Sequence, residues 1–186
     1  YLKQYPSFLF PGKNQFDIND LDVKNQSLRL INTMLPKTWK QTSETIIDYN
    51  PDVVIFRFWN PFFAPMLVTI ARWIKRKNPQ LKLISLFDNF LPHESQFYDK
   101  YFTNSFVNEM HGNIVQSKKV EEEIIKFCPR VSVKKLFHPL YTKYGELKNK
   151  SESKTHLKLN KKFIILYFGL VREYKGLDIL IKSVEK

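Results

Sequence analysis

Apolar residues arrive in two rhythms along this chain. Short unbroken runs, such as Val53-Val54-Ile55-Phe56 and the stretch from Leu81 to Phe87, alternate with segments where apolar side chains recur every three or four positions. A continuous run bounded by turn residues reads as a strand buried on both faces. The three-four spacing reads as a helix with one apolar stripe. Strands are therefore predicted over 52–58, 81–87, 113–116, 131–137 and 163–168, with a shorter one at 28–31. Helices are predicted over 36–49, 61–77, 97–110 and 118–127, and another begins at Leu177.

Local signals sharpen these bounds. Pro51 ends the first helix, whose apolar points are Trp39, Ile46 and Ile47. Asn60 is placed to cap the second, with Pro61 at a first-turn position that needs no N–H. That helix carries Phe62, Phe63, Met66, Leu67, Ile70, Trp73 and Ile74, and closes on Arg72, Lys75, Arg76 and Lys77, which complement its negative end. Ser117 is placed to cap the helix that follows it. Regular alternation of strand and helix predicts an α/β fold built on a doubly wound parallel sheet with right-handed crossovers.

Two stretches break the alternation. The first 27 residues are loop-like, with turn signals at Tyr5-Pro6, Pro11-Gly12 and Asp17 to Asn25. The stretch from Thr142 to Lys162 is Lys-rich and polar, and reads as a linker. With 186 residues, the chain has room for one domain and a remainder. The expected organisation is a first domain over 1–141, a linker over 142–162 and the opening of a second domain over 163–186. The chain starts at Tyr1 and stops at Lys186 inside a predicted helix, so it is expected to be a piece of a longer protein.

Composition narrows the partners. A hydrophobic share of 43%, with 16 Phe, excludes general disorder. The single cysteine, Cys128, excludes an internal disulfide framework and a cysteine-based zinc site. No apolar run approaches the roughly 18 residues of a membrane-spanning helix. The net charge of +12 favours an anionic partner: nucleic acid, a phosphorylated substrate or a membrane surface. Only six of the 30 basic residues are Arg, which suits backbone or lipid phosphate better than base reading. Lysine kept for solubility alone explains the charge equally well.

Ligands of open parallel sheets bind beyond the carboxyl ends of the strands. Three such ends are polar: Arg57 to Asn60, Asp88-Asn89 and Gln116-Ser117. Arg57 sits near the end of an otherwise apolar strand, where a charge needs either a salt bridge to a loop carboxylate or a ligand. The loop 88–94 contains Asp88, Asn89, His93 and Glu94, a set suited to acid–base work and equally to a capped turn. The segment 169–176 follows a strand and precedes a helix. Gly169 and Gly176 allow close backbone approach, while Arg172 and Lys175 add two cations, which is chemistry suited to a diphosphate. It has neither the Gly-Lys-Ser/Thr ending of a Walker loop nor a Gly-x-Gly-x-x-Gly pattern. His111 and His156 lack partners at metal-ligand spacing.

Gly169 to Gly176, continuing into Leu177-Asp178-Ile179-Leu180-Ile181, resembles the first strand-loop-helix of the donor domain in glycosyltransferase family 4. Upstream, Gln4 to Lys13, Asn32 to Trp39, Pro51 to Val54, Trp59 to Pro65 and Asp88-Asn89 through Glu94 are similar to the acceptor-side domain of one bacterial branch. The resemblance implies a GT-B fold of two Rossmann-like domains. It implies retaining transfer of a sugar from a nucleotide-sugar donor to a glycan or lipid-linked acceptor, without an obligatory metal or other cofactor. It implies a cytoplasmic enzyme of polysaccharide or glycolipid synthesis, with a peripheral contact at anionic membrane.

Residue by residue, Lys175 matches the family lysine on the donor diphosphate. The family arginine that partners it follows the glycine directly, where this chain has Leu170, so Arg172 is the available substitute. Many relatives have His-Asn where this chain has Asp88-Asn89. His93 and Glu94 match the branch and, with Arg57, Asp88 and Asn89, fall in the implied acceptor cleft. The resemblance leaves the catalytic group unassigned. The family's first strand, its glycine-rich loop and its downstream glutamate pair have no counterpart here, so the chain alone is expected to be inactive. Two other readings stay open: a GT-B nucleotide-sugar epimerase and, from another class, a basic nucleic-acid-binding module. Scarce Arg and the lack of a recognisable binding motif weigh against the second.

Overall fold

Three successive strand–helix–strand units build the larger part of the molecule. The computed structural model describes residues 1–6, 27–92, 96–140, 145–161, 163–169 and 171–185. The chain divides into two units, Tyr1–His138 and Pro139–Lys186.

In the first unit, α1 spans Pro36–Tyr49, β1 Val53–Phe58, α2 Ala64–Lys77 and β2 Lys82–Phe87. Then come α3 (Asp99–Glu109), β3 (Gly112–Val115), α4 (Lys118–Phe127) and β4 (Val133–Lys135). Caps set several of these ends. The Asn60 side chain accepts from the Phe62 amide at 2.9 Å and starts a 3-10 turn, Pro61–Phe63, that leads into α2. The Ser117 hydroxyl accepts from the Val120 amide at 3.2 Å and starts α4. Asn50, in the left-handed region at φ 51°, ends α1. The predicted strand at 28–31 is not formed. A single parallel bridge, Lys3 to Asn32, stands beside it.

The sheet order is β1-β2-β3-β4, and every pair is parallel. Each crossover steps to the next neighbour in one direction. Right-handed connections of that kind put α2, α3 and α4 on a single face of the sheet. Burial agrees. Phe56, Phe58, Leu83, Phe87 and Val115 are buried on one face, while Ile55, Arg57 and Lys82 are exposed on the other. The described residues thus form a parallel α/β sheet with helices on one face, compatible with a Rossmann-like domain; the doubly wound arrangement expected from the sequence is corrected, because the strand order never reverses direction among the described residues. The expectation that β1 is buried on both faces is corrected: Val53 and Ile55 are exposed, because no described element covers the face of the sheet opposite the helices.

The core is aromatic. The Phe58 ring lies 4.8 Å from that of Phe87 and stacks on Phe106 at 4.7 Å, and all three are fully buried. One polar link crosses this core. Ser85 and Asn113 face each other in register, the Ser85 hydroxyl bonds the Asn113 side-chain oxygen at 2.6 Å, and the Asn113 amide donates to the Ser132 carbonyl. Such buried polar groups are tolerated because both ends are satisfied. Outside the core, the predicted basic end of α2 ties it to α3. Arg72 and Lys75 bond the two oxygens of Glu109 at 2.7 and 3.2 Å.

In the second unit, α5 spans Lys150–His156, within the stretch read as a linker, and α6 spans Leu177–Val184. The strand expected over 163–168 is not formed. Phe163, Leu166 and Phe168 are more than four-fifths exposed. A strand exists through its neighbours, and no second strand is present among the described residues of this unit. No helix among the described residues is long and apolar enough to cross a membrane.

Candidate functional site

The carboxyl edge of the sheet gathers the polar residues of the first unit. Arg57 is the next-to-last residue of β1, and Asp88 directly follows β2. The Asp88 amide donates to the Phe58 carbonyl at 2.9 Å, extending the parallel ladder one step beyond β2. That step brings the Asp88 carboxylate back to the neighbouring strand, where it accepts from Arg57 Nε at 3.0 Å. Of the two possibilities for Arg57, the salt bridge to a loop carboxylate is the one formed. The premise of a buried charge is corrected: the Arg57 side chain is 67% exposed, because it projects from the uncovered face of an edge strand. An ion pair that exposed adds little stability. Its structural effect is to fix a carboxylate and a guanidinium side by side at the strand ends.

Beyond Asp88, Asn89 is exposed and Phe90 is fully buried. Phe90 stacks on Phe127 at 5.6 Å, and its carbonyl accepts from the Thr103 hydroxyl at 3.1 Å. Those contacts anchor the start of the 88–92 segment to α3 and α4. His93 and Glu94 lie outside the described residues. His111, read from spacing as no metal ligand, accepts at Nδ1 from the Leu83 amide at 3.0 Å.

The same edge holds a cavity of about 520 Å³ that the sequence reading missed. Asn60, after β1, and Pro92 and Gln96, after β2, line it. Four aromatic residues contribute walls: Trp39 from α1, Phe62 from the 3-10 turn, and Tyr98 and Phe102 at the start of α3. Thr33 and Asp99 add polar groups. Asp99 is 6% exposed, and its carboxylate accepts from the Gln96 backbone N–H at 2.8 Å. No Lys or Arg occurs among the described residues that line the cavity. The sequence did hold a signal: Trp39 and Phe62 were read as stripe residues of their helices, yet both remain only partly buried.

In the second unit, the segment read as an anion loop has a defined geometry. Gly169 adopts φ 127°, a conformation that favours glycine. A Cβ on Gly169 would fall 2.8 Å from the Lys175 ammonium, the far end of a flexible side chain that would have to shift. Lys175 thus folds back over the backbone of Gly169. Glu173–Lys175 form a 3-10 turn, and Gly176, at φ 64°, leads directly into α6. Arg172 precedes that turn and is exposed. Leu170 lies outside the described residues.

Glu109 and Cys128 are among the titratable groups of the first unit that are displaced from their usual range. Burial pushes the Glu109 carboxyl up, but the hydrogen bonds and charges of Arg72 and Lys75 outweigh it and hold the group below the usual carboxylate range. Burial pushes the Cys128 thiol up, against the pull of Lys100. Cys128 is buried, and its Sγ lies 3.2 Å from the Asn104 side-chain oxygen.

No family model, curated protein or solved structure matches the chain.

Proposed function

We propose that this chain carries the acceptor side, and the first phosphate contact of the donor side, of a retaining sugar transferase of the GT-B type that uses a nucleotide sugar. The observation that carries the reading is the 169–176 loop, where a lysine ammonium folds over a positive-φ glycine just ahead of a helix N-terminus. That combination suits a diphosphate. The glycine lets the anion approach the backbone, and the ammonium and amides neutralise it.

In the reaction, the bond between the anomeric carbon and the donor phosphate breaks, the nucleoside diphosphate leaves with the electron pair, and an acceptor hydroxyl forms the new C–O bond as it gives up its proton. Charge therefore develops on the leaving oxygen. Lys175 and the loop amides, with Arg172 as a second cation, stabilise that charge more than they stabilise the neutral sugar. Arg57, Asp88 and Asn89 stand at a strand edge of the kind where sheet enzymes hold substrates. In this reading they face the acceptor. The Lys-rich surface favours an acceptor presented at anionic lipid.

The test is release of nucleoside diphosphate by the full-length gene product, given a panel of nucleotide sugars and glycan or lipid-linked acceptors. Release with one donor is expected. Lys175→Ala is expected to lower the rate by about 10²–10³-fold, the usual cost of losing one such stabilising contact. Undiminished turnover in that variant overturns the assignment.

A further inference from the structure

We propose that the aromatic cavity at the carboxyl edge of the sheet binds a small trimethylammonium compound. Four rings line it, those of Trp39, Phe62, Tyr98 and Phe102, together with one carboxylate, Asp99. The face of an aromatic ring is electron-rich and attracts a cation within about 6 Å, more strongly once the cation has shed its water. Asp99 is 6% exposed, and the one hydrogen bond its carboxylate accepts among the described residues comes from the Gln96 backbone N–H. A carboxylate so buried gains from a counter-charge. The described lining supplies none: it holds no Lys or Arg, and none stands in the sequence between Pro92 and Gln96. The net charge of +12 opposes a cation at long range, but salt screens that field beyond about 8 Å. The carboxylate and the rings act at contact.

Other ligand classes fit the lining less well. An anion meets a like charge and no fixed cation. Calcium and magnesium take six or more oxygen ligands, and no group of three or more His, Cys, Asp or Glu among the described residues could hold a metal ion. A neutral ligand of the same shape covers Asp99 further and leaves its charge unanswered. Among organic cations, a primary ammonium brings three N–H donors and a guanidinium five. Acceptors to receive them are few, since the Asn60 side-chain oxygen is already engaged by the Phe62 backbone N–H at 2.9 Å. A trimethylammonium group has no N–H to satisfy, and its methyl groups suit aromatic walls. The volume of about 520 Å³ leaves room beyond that head for a short tail, and the Asn60 NH2 group, uncommitted among the described residues, can meet a hydroxyl on it. Two walls are fixed before any ligand arrives. The Trp39 indole N–H donates to the Asn32 carbonyl at 2.9 Å, and the Phe62 ring stacks on that of Tyr5 at 5.9 Å. Preorganisation of this kind lowers the ordering cost of binding. The site is built from the first unit alone and does not rest on the transferase proposal.

The experiment titrates the chain with tetramethylammonium, with choline and with the uncharged isostere of choline, the alcohol in which carbon replaces the nitrogen. Ethanolamine supplies the primary ammonium, glucose the neutral polyol and inorganic phosphate the anion. Calorimetry and saturation-transfer NMR read the binding. The two alkylated cations are expected to bind, and the other four probes to bind more weakly by about tenfold or more. Asp99→Asn removes the charge but keeps an oxygen for the Gln96 backbone N–H. It is expected to weaken choline by about tenfold or more and to leave the isostere unchanged. Tyr98 is 44% exposed, so Tyr98→Leu tests the site in a variant whose fold is not at risk, and a loss of about twofold to fivefold is expected. Retention on phosphatidylcholine vesicles that choline displaces assigns the cation to a lipid head group. Choline binding without such retention assigns it to a free compound, and either result supports the proposal. Binding of neither cation, equal affinity for choline and its isostere, or tighter binding of ethanolamine, glucose or phosphate overturns it. So does unchanged choline affinity in Tyr98→Leu together with Asp99→Asn where that variant folds. Choline binding without nucleotide release by the full-length product leaves this site standing and removes the transferase. Nucleotide release without choline binding does the reverse.

Discussion

The two units carry similar apolar runs and treat them oppositely. Val53-Val54-Ile55-Phe56 in the first unit sits beside β2 and has one face under helices, and Phe56 and Phe58 are buried. Phe163 to Phe168 is at least as apolar, yet the rings of Phe163 and Phe168 are 83% and 92% exposed. No described residue of the second unit is buried, whereas the first holds the whole core. Hydrophobicity supplies the drive to leave water, but only a neighbouring strand and a covering helix supply the place to go.

The sharpest way to break this contrast is a pair of truncations. Phe58→Ala removes a ring that touches Phe87 and Phe106, and is expected to cost about 3–5 kcal/mol in urea unfolding. Phe168→Ala is expected to change stability by no more than about 0.5 kcal/mol, as exposed substitutions do. Equal losses would place a hidden core in the second unit. A smaller effect is expected from Asn113→Ala. It leaves the Ser85 hydroxyl without its partner inside the sheet and should cost about 1–3 kcal/mol by the same measurement.

The smallest effect depends on pH. The folded state holds Glu109 ionised below its ordinary range, so the stabilisation is complete above the unfolded carboxylate pKa. It is lost as pH falls through the lower folded value. Urea midpoints of the native chain and of Glu109→Gln are therefore expected to differ at neutral pH and to converge in acid. Parallel curves over the whole range would remove the α2–α3 bridge from the stability of the first unit.

The elements were legible where chemistry punctuates the chain. Proline and capping residues marked α1 at Pro36–Tyr49 and α4 at Lys118–Phe127. What faces what was less legible. In α1 the fully buried residues are Thr38, Thr42 and Ser43, while Trp39 and Ile46 pack against the core only partly buried. The buried hydroxyls bond carbonyls within one turn, Thr42 to Thr38 and Ser43 to Lys40, which removes most of the cost of burying them. Hydropathy treats those residues as polar and misses this. The continuous run in β1 could not tell a strand covered on both faces from one covered on a single face, because that distinction belongs to what packs on the sheet. Likewise, Arg57 and Asp88 were both singled out, but their pairing depends on the register that sets Arg57 beside Leu86 and Asp88 one step beyond. The cavity was invisible for the same reason: its walls come from three helices and turns distant in sequence.

Sheet order also imposes a timetable on synthesis. Residue 53 pairs with residue 82, so β1 has no partner until a further 29 positions are made. At ribosomal rates of roughly 5–20 residues per second, that is a wait of about 1.5–6 s. During it the edge Val53-Val54-Ile55-Phe56 carries no Lys or Pro to deter pairing with another nascent chain. Yield in the cell should therefore respond to translation speed and to holdase chaperones through this one segment, independently of how stable the finished domain is.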